Sequence, residues 1–161
     1  MKIISLTQGK VAIVSDVDYA YLKQWKWCYS KLNHGKGGYA VRGAWRDGRT
    51  QTVKMHRIVA ERAGKLTQGD VDHCNQNKLD NRRSNLRSAT RPQTLGNQGL
   101  RSDNTTGYRG VSPYRNGWQA GIRVGGKRQH LGHFKSKRAA ARAYNKRAIE
   151  VFGKFAVLNK I

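Results

Sequence analysis

Two glycine-bearing dipeptides, Asn116-Gly117 and Gly125-Gly126, leave the last third of this 161-residue chain few folds to choose from. Each is a strong signal for a two-residue β-hairpin turn, whose favoured forms need positive φ. Around them run three segments of strand length, "YRGVSPY", "GWQAGIRV" and "RQHLGHF". "SKRAAARAYNKRAIEVFG" follows, with Ser136 placed to cap a helix and Gly153 to end it. Ala140, Tyr144, Ala148 and Val151 recur at spacings of four, four and three, one apolar helical face. The prediction is a three-stranded antiparallel sheet packed on one helix. On the middle strand Trp118, Ala120, Ile122 and Val124 alternate with Gln119, Gly121 and Arg123. The apolar set belongs under the helix, so the other face opens to solvent or to a ligand.

Charge says what that ligand is. Lys and Arg number 32 against 9 Asp and Glu, a formal net charge of +23. Such an excess repels itself in the folded state unless a polyanion is the partner. Nucleic acid is the first choice, and the apolar runs are too short for a membrane span. Both halves of the chain are basic, and residues 105–161 hold a single acid, Glu150. Gln119, Arg123, Arg128 and His130, joined by Arg109, are expected to line one open basic surface. A β-ribbon can enter the DNA major groove, where Arg pairs with guanine.

Composition shifts between Leu95 and Gly107, where "LGNQGLRSDNTTG" is rich in Gly, Asn, Ser and Thr. The expected organisation is α+β in two small modules, residues 1–98 and 107–161, joined by a linker at 99–106. In the first module Val11–Val14 reads as a strand and "DVDYAYLKQWKW" as a short helix or turn. Asp47-Gly48 signals a hairpin, and "HRIVAERAG" a helix from His56 stopped at Gly64.

Residues 105–159 resemble the Apetala/ethylene-response-factor DNA-binding domain, through "YRGV", "W-x-A-x-I-R", "LG-x-F", "AA-x-AY" and the closing "G-x-x-AVLN". The resemblance implies a sheet that reads the major groove, and it carries Arg109, Arg123 and Arg128 over as contact residues. Ser112, Tyr114 and His130 depart from the plant pattern, which implies a different sequence preference.

"VDHCNQNKLDNRRSNLRSAT", from Val71, sets Asp72-His73 among asparagines and arginines. An imidazole can take a proton from water, and a carboxylate can hold a divalent cation that stabilises a scissile phosphate. Magnesium needs few protein oxygens and keeps several waters. Arginines Arg82, Arg83 and Arg87 are expected to hold phosphates.

Residues 55–99 resemble the HNH endonuclease motif of phage and intron-homing enzymes, through "HR-x-V", "VDH", "N-x-x-DNR-x-x-NLR-x-AT" and a trailing Asn. The resemblance implies a ββα-metal site with motif core 55–98. It makes His73 the general base, Asp72 a metal ligand, and Asn85 the amide that positions the base. It also places Thr94 as a further metal ligand, with Asn97 close by as a substitute.

Other residues receive plainer readings. His56 packs at a helix start, His34 is solvated in a Gly/Lys loop, and Trp25 and Trp27 belong to the core. Cys28 and Cys74 are too few for a disulfide framework. "MKIISLTQGK" lacks a signal-peptide core, so an intracellular location in a bacterial or phage-infected cell is expected. The function expected is metal-dependent hydrolysis of duplex DNA, with Mg2+ as cofactor and no obligate protein partner. The alternative is a DNA-binding protein whose nuclease site is degenerate at Thr94.

Overall fold

At Asp47-Gly48 the backbone takes φ of 51° and 72°, the two positive values the hairpin signal demands. The computed structural model describes residues 1–32, 37–65, 69–101 and 103–161, so the reading of His34 falls outside the described residues. The chain divides into two compact units, Met1–Thr90 and Arg91–Ile161, each α+β.

In the first unit β1 (Lys2–Ser5) pairs antiparallel with β2 (Val11–Val14), and α1 (Asp16–Leu22) follows. Strands β3 (Cys28–Lys31), β4 (Gly38–Arg46) and β5 (Arg49–Lys54) form an antiparallel sheet with the Asp47-Gly48 hairpin at its end. Helix α2 (Met55–Arg62) comes next, and Gly64 beyond it has φ 64°. Then β6 (Asp70–His73), β7 (Asp80–Asn81) and β8 (Leu86–Ala89) close the unit. β7 pairs parallel with β2, and β6 pairs antiparallel with β8. Val14, Leu22, Met55 and Val59 are fully buried at the centre, with Trp27 beside them. Burying each such aliphatic side chain contributes about 1.5–3 kcal/mol. Trp27 belongs to this core as expected, and Trp25 is half-buried against it.

The second unit holds α3 (Arg91–Gly96), β9 (Val111–Tyr114), β10 (Gly117–Val124), β11 (Lys127–Phe134) and α4 (Lys137–Phe152). The sheet order is β11-β10-β9, and α4 covers one face through Ala140, Ala141, Tyr144 and Ala148. Ser136 caps α4, its Oγ accepting from Ala139 N at 3.2 Å, and Gly153 ends it at φ 51°. Ser136→Ala is expected to lower the stability of this unit by about 1 kcal/mol in urea titrations.

Two details differ from the sequence reading. Gly117 pairs with Tyr114 inside the ladder, so the turn residues are Arg115 and Asn116, with Arg115 at φ 47°. Gly117 is required instead for close approach: a Cβ there would meet Phe134 O at 2.7 Å. The division of the chain also falls at Thr90–Arg91, ahead of the 99–106 linker. The reason is packing. A Cβ on Gly96 would strike the Phe152 ring, and Arg109 holds the last carbonyls of α3, Gly96 O at 2.7 Å and Leu95 O at 3.2 Å. The polar residues read as linker build turns: Asn104 Nδ2 donates to Tyr108 O, and Thr106 Oγ1 to Tyr108 O and Val111 O. Ser102 within that stretch is not described. Among the described residues no helix is long and apolar enough to cross a membrane.

Candidate active site

Strand β6 delivers Asp72 and His73 side by side, and both are buried. Its partner β8 places Arg87 directly opposite Asp72 and Leu86 opposite His73. Arg87 Nη2 lies 2.8 Å from Asp72 Oδ2, and Nε donates to the same oxygen at 2.9 Å. Such charge-assisted bonds fix the carboxylate's orientation.

The asparagines after His73 build the turn that carries it. Asn85 Oδ1 accepts from Asn75 N at 3.0 Å, and its Nδ2 donates to Asp80 O at 2.7 Å. Asn75 Oδ1 accepts from Asn77 N, and Asn77 Oδ1 from Leu79 N, two successive Asx turns. Asn85 therefore holds the loop that follows His73. The side chain bonded to the imidazole is another one: Asn81 Oδ1 lies 3.2 Å from His73 Nε2. Asn81 is buried on β7, whose pairing with β2 ties it to the core.

The orientation of Asn81 sets the histidine tautomer. Its Nδ2 donates to Leu79 O and toward Met55 Sδ, both at 3.4 Å, so Oδ1 must be the atom facing His73. A carbonyl oxygen accepts, so Nε2 carries the proton and Nδ1 keeps the lone pair. Burial pushes the His73 pKa below the usual imidazole value, against the opposing pull of Asn81, Asp72 and Asp80. The ring is therefore neutral at pH 7 and able to accept a proton.

His56, at the start of α2, packs edge-on against His73 with ring centroids 5.1 Å apart, and Tyr39 covers it at 4.9 Å. Burial, with His73 alongside, pushes His56 down to about 3, so it is an uncharged packing wall. Lys54 and Lys78 place their ammonium groups 5.1 and 5.6 Å from the Tyr39 ring, which makes the approach to His73 cationic.

The family model described as HNH endonuclease matches residues 53–94, the span from the end of β5 into α3. An "Uncharacterized HNH endonuclease" of Acanthamoeba polyphaga mimivirus is 34% identical over 156 residues, covering 96% of this chain and 77% of that one. The chain belongs to the HNH endonuclease family. No solved structure matches it.

As an HNH endonuclease the chain is a phosphodiester hydrolase, and its expected site residues fall into three groups. Asp72 and His73 end β6 in the first unit, and Asn85, in the short 3-10 turn Arg83–Asn85 just before β8, bonds to the loop that follows them. Thr94 lies on α3, in the second unit, and Asn97 just beyond it.

The arginines expected on phosphates form the second group, and each is ion-paired with a buried aspartate. Arg82 makes two bonds to Asp80, at 2.6 and 2.8 Å. Arg83 makes two to Asp18, both at 2.7 Å, and Arg87 holds Asp72. The cause is burial: Asp18, Asp72 and Asp80 are all nearly inaccessible, and a buried carboxylate requires a partner. Asp18 also takes Arg62 Nε at 3.1 Å. Burial opposes ionisation of Asp18, but these two arginines outweigh it and hold its carboxyl below the usual range. Arg83→Leu is expected to destabilise the first unit by about 3 kcal/mol in urea unfolding, the low end for a broken buried pair because Arg62 remains.

The sheet of the second unit carries the third group. Arg123, Arg128 and His130 are exposed and Gln119 half-buried, on the face turned away from α4. Arg123 and Arg128 are direct cross-strand partners. Register shifts between Ala120 and Gly121, so His130 and His133 come to share that face, their rings 4.5 Å apart. Tyr114 stacks on His133 at 4.2 Å. Sequence alternation alone misses this aromatic row, because the bulge breaks the period of two. Arg109 departs from the expected group: it is engaged by the α3 carbonyls and lies over Tyr144. Burial lowers its pKa from the free guanidinium value, a further mark of an internal role.

Proposed function

We propose that the chain is a metal-dependent DNA endonuclease in which His73 is the general base and the second unit binds duplex DNA. One observation carries the reading: a buried histidine whose Nε2 lies 3.2 Å from Asn81 Oδ1 sits next to a buried aspartate. Nδ1 would take a proton from water as its oxygen attacks the scissile phosphorus and the leaving oxygen departs. Asn81 orients the ring, Asn85 shapes the loop behind it, and His56 and Tyr39 keep water off its far side.

Among the described residues no group of three His, Cys, Asp or Glu gathers, so a cage for a tightly held transition metal is not what the donors fit. A single carboxylate with water and phosphate oxygens fits Mg2+. Asp72 would hold that cation, whose chemistry is to stabilise charge on the phosphate and leaving oxygen. The role expected for Thr94 is tested by Thr94→Asn, which should lower the magnesium concentration that gives half-maximal cleavage.

In the second unit, Arg123, Arg128, Gln119 and His130 form a basic face beside the Tyr114–His133 stack. Affinity and register for duplex DNA are assigned to it. Incubating supercoiled plasmid with the protein and magnesium tests the whole reading. Nicked or linear product, lost on adding chelator, is expected; intact plasmid under both conditions would reject it. Asn81→Ala should slow cleavage about tenfold, the effect of losing one buried hydrogen bond of about 1.4 kcal/mol. Single-turnover rates check this.

A further inference from the structure

Trp45 is 74% exposed, whereas the core of the same unit encloses Trp27. It stands next to the end of the β4–β5 hairpin, where Arg46 and Arg49 are direct cross-strand partners. Like charges facing each other across a ladder are destabilising, and a large exposed aromatic gains nothing in the free protein. Both features become favourable against a polyanion with apolar edges.

The faces of the hairpin decide where that polyanion would lie. Ala40 is buried, and the Arg42 guanidinium sits 4.4 Å from the Trp25 ring, so the face carrying residues 40 and 42 turns inward. Alternation puts Tyr39, Val41, Gly43 and Trp45 on the other face, with Lys54, Thr52 and Thr50 opposite the last three. Tyr39 is the residue that covers His56 and lies 6.2 Å from the His73 ring. One strip of sheet thus runs from the imidazole to Trp45. Gly43 midway is exposed and bears no side chain, which suits close approach of another backbone. Six residues at about 3.3 Å each span ~20 Å, or about six base-pair steps of ~3.4 Å.

We infer that the β4–β5 hairpin is a second DNA-contacting element, which engages the duplex about six base pairs to one side of the scissile phosphate. Trp45 packs on sugar and base edges there, and Arg46 and Arg49 neutralise phosphates. The inference rests on His73 as the cleavage base, which fixes where the scissile phosphate lies.

The test uses the full-length protein in a His73→Ala background, which keeps the DNA whole, and a plasmid-derived duplex fragment. Trp45→Ala should weaken binding about tenfold, as expected for losing about 1.4 kcal/mol of apolar burial against sugar and base edges. It should also remove protection from one end of the hydroxyl-radical footprint. Arg46→Ala with Arg49→Ala should lower the log–log salt slope by about two. These positions are exposed, and circular dichroism checks that each variant folds. A footprint and affinity equal to the parent's would overturn the inference, even if plasmid cleavage and its loss in His73→Ala are both seen. Sedimentation showing self-association lost in Trp45→Ala, with DNA binding unchanged, would give the tip to a second copy and overturn it too. No cleavage by the wild type, with the footprint still shortened by Trp45→Ala, would instead reject the proposed reaction and keep the hairpin as a DNA element.

Discussion

His73→Ala is expected to slow plasmid cleavage by about 10²–10⁴-fold while duplex affinity stays within about twofold. The two readouts separate because they draw on different groups. Proton transfer depends on one imidazole nitrogen, whereas affinity sums many phosphate contacts spread over a chain of net charge +23. The variant should also fold. His73 sits at the end of β6, and its turn is held by Asn85, Asn75 and Asp80 rather than by the ring. Removing the imidazole leaves Asn81 Oδ1 without its partner, at about 1–3 kcal/mol. Thermal melting measures that separately from rate. A cleavage rate equal to the wild type's would remove His73 from the reaction.

How far this site was legible in the sequence can be traced residue by residue. Asp72 and His73 were legible because adjacent residues on one strand end need no folding to be brought together. Asn85 was legible only through family resemblance, and its work is local: it closes the turn behind the base. Asn81 was not, although it is the side chain that touches the imidazole. Its position depends on β7 running parallel to β2, a pairing between residues 13–14 and 80–81 that no local pattern announces. The ion pair of Arg83 was hidden for a related reason: its buried acid lies far off in sequence, and Asp18 reaches Arg83 across 65 positions. In the second unit turn glycines and helix caps are local devices, so the sheet-and-helix fold could be read directly. The bulge after Ala120 could not, and with it went the aromatic row of Tyr114, His133 and His130.

Replacing Arg123 and Arg128 together by Ala is expected to weaken duplex binding about 100-fold and to flatten discrimination between sequences. The pair is exposed on the face away from α4, and the two residues are cross-strand neighbours beside the Gly125-Gly126 turn. A Cβ on Gly121 would lie 3.1 Å from Arg128 Nε, so this glycine leaves room for the Arg128 side chain to lie along the sheet. Two adjacent guanidinium groups repel in the free protein, a penalty that phosphate or guanine contacts would relieve. A bidentate contact to guanine contributes about 1–3 kcal/mol of discrimination, so two at about 1.4 kcal/mol each give the 100-fold stated. Fragment 91–161 is the minimal protein for this measurement, because α3 is held by Arg109 and packs against Phe152. Starting at residue 100 would strip Arg109 of both carbonyl partners and leave a half-buried cation unpaired, so that shorter fragment should melt lower. Competition against random duplexes then separates two mechanisms. Loss concentrated on preferred sequences means the arginines reach base edges. A uniform loss, with the salt slope reduced by about two, means they neutralise phosphates, and site selection then falls to the first unit.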